Sequence, residues 1–88
     1  MGFDLHQPYR LNPAVALRPE PFGALAYHFG NRRLSFLKSR QLVAVVRLLS
    51  SSDSAADALD AAGVPAGQRA RYAAALAALA DSEVIDER

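Results

Sequence analysis

Eighty-eight residues are enough for one small domain and too few for two separate cores. The formal charge of +1 argues against a dedicated nucleic-acid binder, which is normally clearly basic. The absence of cysteine excludes a disulfide framework, a thiolate nucleophile and a cysteine-held cluster. The chain is 51% hydrophobic, but much of that is alanine after residue 54, which buries little area, so a modest core is expected. The first ten residues lack the apolar stretch of a cleavable signal, and no apolar run is long enough to span a bilayer. A soluble cytoplasmic protein is expected.

Residues 1–12 are polar and aromatic with one proline and read as a flexible arm. In "AVALRPEPF", Val15 and Leu17 alternate with small or charged residues, the pattern of a strand. Pro13, Pro19 and Pro21 around it place that strand at a sheet edge, because proline has no N–H for a ladder. "GALAYHFGNRRLSFLK" reads as a hairpin with Gly30-Asn31 as a two-residue loop, Gly30 supplying the positive φ. In that register Tyr27 faces Leu34 and Leu25 faces Phe36. These four share one face, expected to be the core face, with Leu34 and Phe36 as its anchors. Ala26, His28, Arg33 and Ser35 lie opposite, with Ala24 and Leu37 at the far end, so His28 is expected to be solvated or loosely hydrogen-bonded.

After residue 38 the period changes. Leu42, Val45, Val46 and Leu49 form the stripe of an amphipathic helix with Ser39 as N-cap. "SSSD" breaks it. A second helix starts near Ser54, buries Ala55, Leu59 and Ala62, and ends at Gly63 as the C′ residue. Val64 and Pro65 open a third, alanine-rich helix with a stripe of Tyr72, Leu76 and Leu79. "VIDER" forms a last short strand or frays. The expected fold class is α+β: a three-stranded antiparallel meander followed by three helices that pack on one face, compatible with a winged helix. The expected organisation is the arm, one domain over 13–85 and a tail at 86–88.

Catalytic chemistry is missing. There is no phosphate-binding glycine loop, His6 and His28 lack acidic neighbours at metal-ligand spacing, and the serines at 50–52 and 54 have no nearby base. The expected catalytic and metal residues are none. The informative feature is the third strand, "RRLSFLK", which has neither proline nor glycine. Its outer N–H and C=O groups suit β-augmentation by an extended peptide, with the third helix as the other wall of a groove. Two alternatives stand beside this reading. A winged-helix nucleic-acid binder would use Arg32, Arg33, Lys38, Arg40 and Arg47, and a homodimer would pair through the free edge.

The stretch "LRPEPFGALAYHFGNRRLSFLKSRQLVAVV", residues 17–46, resembles the mycofactocin-system peptide chaperones. These belong to the recognition elements of ribosomally made and modified peptides (RiPP) and are similar to the small D protein of pyrroloquinoline quinone biosynthesis. "RPEPFGAL", "YHFG", "RRLSFLKS" and, downstream, "LDAAGV" carry the resemblance. It implies a non-catalytic RiPP recognition domain that binds the leader of a precursor peptide and presents it to a radical S-adenosylmethionine maturase. The maturase holds the iron–sulfur clusters and S-adenosylmethionine, and this chain is expected to hold no cofactor. Carried over by element, the leader would add to the third strand at Arg33, Leu34, Ser35, Phe36, Leu37 and Lys38. It would lie against Arg69, Tyr72, Ala73 and Leu76 of the third helix. No membrane or nucleic-acid partner is implied.

Overall fold

The computed structural model describes residues 2–88; Met1, the first residue of the expected arm, lies outside them. The chain runs β1 (Tyr9–Leu11), β2 (Val15–Glu20), β3 (Gly23–His28), β4 (Leu34–Leu37), α1 (Arg40–Leu48), α2 (Ala55–Ala61), α3 (Arg69–Asp81) and β5 (Ile85–Glu87). Short 3-10 turns at Leu49–Ser51 and Ala66–Gln68 follow α1 and precede α3. Strands β2, β3 and β4 form the expected antiparallel meander, in that order, and the class is α+β. The strand read as third in sequence is β4.

The register agrees with the sequence reading: Tyr27 is opposite Leu34 and Leu25 opposite Phe36. The face does not. Ala24, Ala26 and Leu37 are fully buried and His28 nearly so, whereas Leu34 and Phe36 are 54% and 55% exposed. The core face is therefore the one carrying the small alanines, and Leu34 and Phe36 are not core anchors. Two alanines in the central strand leave room for α1, which packs on β3 and buries Leu42, Val45 and Val46. Larger side chains on that face would hold the helix away.

The loop is also longer than expected. Arg32 N–H donates to the His28 carbonyl at 2.8 Å and His28 N–H to the Arg33 carbonyl at 2.9 Å, so residues 29–32 form the connection. The positive φ, 61°, falls on Arg32 rather than Gly30. His28 is not solvated. Its Nδ1 accepts N–H bonds from Gly30 (2.9 Å) and Asn31 (3.1 Å) and holds the turn from inside. Gly30 is needed for a different reason than its φ, since a Cβ there would lie 2.8 Å from His28 Cε1.

The helix caps follow the sequence closely. Ser39 Oγ accepts from Leu42 N–H and Ser54 Oγ from Asp57 N–H. Gly63, at φ 76°, ends α2 with Gly63 N–H on the Asp60 carbonyl and Val64 N–H on that of Leu59, a Schellman closure. Pro65 does not open α3. It is extended, its carbonyl accepts from Gln68 N–H, and the α-helix proper starts at Arg69. Tyr72, Leu76 and Leu79 are its buried stripe, as expected.

Both terminal segments carry a short strand among the described residues. Tyr9–Leu11 pairs antiparallel with Ile85–Glu87, and Tyr9 and Ile85 enter the core. The arm also supplies acceptors for two N–H groups that a helix start leaves without partners: Ala55 N–H bonds the Gln7 carbonyl and Ala56 N–H that of Leu5. Exposed Arg10 pairs with Asp86 at 2.9 Å, and that carboxylate's hydrogen bond and charge raise the guanidinium pKa above its ordinary value. Arg88 closes the far side, donating to the carbonyls of Ser50 and Ser52 after α1.

Candidate functional site

Strand β4 has one neighbour in its sheet, β3, and its other edge is open. Hydrogen-bonded and non-bonded pairs alternate along an antiparallel ladder. Because His28 N–H bonds the Arg33 carbonyl, the bonded pairs that follow are Ala26 with Ser35 and Ala24 with Leu37. Leu34 and Phe36 therefore turn their N–H and C=O groups outward. Among the described residues, no backbone bond from outside the sheet reaches either. The opposite edge is β2, where Pro19 pairs with Ala24. The Phe29 N–H bond to the Ala14 carbonyl sets the phase on that side, and Pro19 falls at a non-bonded position, so its missing N–H faces solvent. One edge is blunted and the other is available.

Beyond the C-terminal end of β4 lies a pocket of about 410 Å³ lined by Lys38, Ser39, Leu42, Arg71, Tyr72 and Ala75. Tyr72 forms its floor. The Tyr72 hydroxyl donates to Gln41 Oε1 at 3.3 Å and lies 3.4 Å from Ser39 Oγ, tying α3 to the start of α1. The pocket thus has a basic entrance at Lys38 and Arg71 and an apolar floor.

The sequence-predicted residues divide. Arg33, Leu34, Phe36 and Lys38 are exposed along β4, Ser35 is half-buried, and Tyr72 reaches the pocket. Leu37 and Leu76 have no exposed surface and support the site from below. Ala73 lines a separate hollow with residues 2–6 of the arm, on another side of α3. Arg69 is turned away and paired with Asp60 of α2. Four pocket residues were missed: Ser39, Leu42, Arg71 and Ala75. Arg71 and Ala75 are one helical turn apart, so the i, i+4 spacing with Tyr72 beside them was the available signal.

The charges are sorted. Among the described residues the ion pairs are Arg10–Asp86, Arg18–Glu20 and Arg69–Asp60. Arg32, Arg33, Lys38, Arg40 and Arg71 are unpaired and lie along the hairpin loop, β4, the start of α1 and the pocket, while Arg47 is unpaired in the last turn of α1. The unpaired carboxylates are Asp4 in the N-terminal segment and Asp53, Asp57, Asp81, Glu83 and Glu87 around α2, the end of α3 and β5. A net charge of +1 conceals this polarity.

This arrangement belongs to a known lineage. The family model described as the peptide chaperone MftB family matches residues 8–86. A peptide chaperone MftB of Mycobacterium ulcerans (strain Agy99) is 51% identical over 84 residues, covering 96% of this chain and 77% of the relative. That of Mycolicibacterium smegmatis (strain ATCC 700084 / mc(2)155) is 52% identical, covering 94% and 81%. That of Mycobacterium tuberculosis (strain ATCC 25618 / H37Rv) is 48% identical, covering 98% and 79%. No solved structure matches the chain. With the match running from the arm to β5 and half of the aligned residues shared, the chain belongs to the peptide chaperone MftB family.

Proposed function

We propose that this member of a peptide chaperone family binds the leader of a ribosomally made precursor, the mycofactocin precursor, by strand addition at β4. It then presents that peptide to a radical S-adenosylmethionine maturase in the cytoplasm. The observation that carries the reading is the uncovered edge of β4, where Leu34 and Phe36 direct unpaired backbone groups toward solvent beside the Tyr72 pocket. An added strand takes up those groups, and its alternate side chains fall on the two sides of the sheet. On the helix side they meet Arg33, Ser35 and the pocket; on the other they meet Leu34 and Phe36.

Lys38, Arg33 and Arg71 favour carboxylates on the peptide and raise on-rate and selectivity. Arg71 takes the role expected of Arg69, whose guanidinium is committed to Asp60. The role is non-catalytic, as in relatives named for chaperoning, and redox chemistry stays with the maturase. A nucleic-acid role has less support, because α3 contributes Arg71 as its one cation outside an ion pair among the described residues.

Calorimetry with the cognate precursor peptide tests the reading. Binding at or below tens of micromolar is expected, about −6 to −8 kcal/mol or tighter. An absence of binding in that range, with and without the maturase, would overturn it.

A further inference from the structure

The sheet face turned away from the helices carries Phe22, Leu25, Tyr27, Phe29, Leu34 and Phe36. Phe29 is the most open at 64%. Their rings rest on one another: Phe22 and Phe36 have centroids 6.1 Å apart, and Tyr27 and Phe29 meet nearly edge-to-face at 5.0 Å. The surface is thus packed in advance, so little side-chain freedom is left to lose on docking. Contiguous apolar surface of this kind on a small protein marks an interaction site.

The rim selects among occupants. Arg18 shares a row with Leu25 and Phe36 and is neutralised by Glu20 at 3.1 Å. Arg32, beside Phe29, and Lys38, past the end of β4, have no ion partner among the described residues. Two copies placed face to face would set cation against cation, which disfavours a second copy. We propose that this outer face docks a partner protein whose surface is apolar at its centre and edged by carboxylates. Resting on the strand-addition reading above, the peptide adds a fourth strand beside Leu34 and Phe36. Its outward side chains enlarge the docking face, so the partner touches chaperone and peptide together.

The test uses the full chain, a synthetic leader peptide and, as the partner probe, a radical S-adenosylmethionine maturase from the same organism. Tyr27→Thr/Phe29→Thr removes the ring pair but keeps strand propensity and leaves the β4 edge and the pocket untouched. Maturase affinity should fall at least about tenfold, with or without peptide, while leader affinity stays within about twofold and the thermal midpoint is kept. Arg32→Glu keeps the rings and should weaken the maturase complex several-fold and flatten its salt dependence; it decides the matter where the first variant fails to fold. Unchanged maturase affinity in both variants overturns the proposal. So does a dimer of the unaltered protein that Tyr27→Thr/Phe29→Thr disperses, or a loss of leader affinity equal to the loss of maturase affinity. An unaltered protein that binds the maturase but not the leader sinks the strand-addition reading and leaves the docking face standing.

Discussion

His28 shows how a single side chain sets the position of the β4 edge. Its Nδ1 accepts two loop N–H groups, and its Nε2 lies 3.3 Å from Asn12 Nδ2. His28→Ala leaves both donors to water and should cost about 1.5 kcal/mol, read as a lower urea midpoint at unchanged m-value. Gly30→Ala should cost a similar amount by pushing the ring off those donors, because its Cβ would sit 2.8 Å from His28 Cε1. Gly67→Ala, where a Cβ meets nothing within 4 Å, should be neutral or slightly stabilising. The end of α3 offers the opposite case. Glu83 stands at φ 64° in a second Schellman closure, its N–H on the Ala80 carbonyl and Val84 N–H on that of Leu79. That position favours glycine, so Glu83→Gly should raise stability by about 1 kcal/mol in the same unfolding assay.

Elements place the β4 edge, proposed to take the peptide, and decide which substitutions can probe it. The N–H groups of Ser35 and Leu37 point to β3, so proline at either breaks the sheet itself. Those of Leu34 and Phe36 point outward. Leu34→Pro or Phe36→Pro should therefore weaken leader binding at least about tenfold with the helical circular dichroism kept. Ser35→Pro should unfold the meander. In the pocket, Arg71→Glu should weaken binding of an acidic leader about tenfold and Arg69→Glu far less, since Arg69 faces Asp60.

How legible these elements were depended on range. Ser39, Ser54 and Gly63 were readable because caps are local, and the hairpin register because both strands alternate together. The buried face was not. Two alternating sets competed there, and size favoured Leu34 and Phe36, yet the approach of α1 requires Ala24 and Ala26 beneath it. The four-residue loop was missed because a buried histidine, rather than a glycine φ, organises it. The β4 edge could be read from its lack of proline. The Arg71 wall could not, because the Arg69–Asp60 pair depends on how α2 packs beside α3.

At the scale of the whole molecule, charge and apolar surface are separated. Arg33, Lys38 and Arg71 line the β4 edge and pocket without an ion partner, and the outer sheet face is aromatic. Leader affinity should therefore fall with added salt on the β4 side, through a lower association rate, while unfolding free energy changes little. Among the described residues, no helix is long and apolar enough to cross a membrane. The pairing of Tyr9–Leu11 with Ile85–Glu87 brings residues 76 positions apart into contact at Arg10 and Asp86. That closure has a consequence for synthesis. The meander is built from neighbouring segments and can assemble while the ribosome is still translating α3. The β1–β5 pair must wait until residues 85–87 have been translated and have left the exit tunnel. A nascent chain stalled before residue 85 should then already display the β4 edge and resist proteolysis there, while Tyr9–Leu11 stays open to cleavage until Ile85–Glu87 emerges.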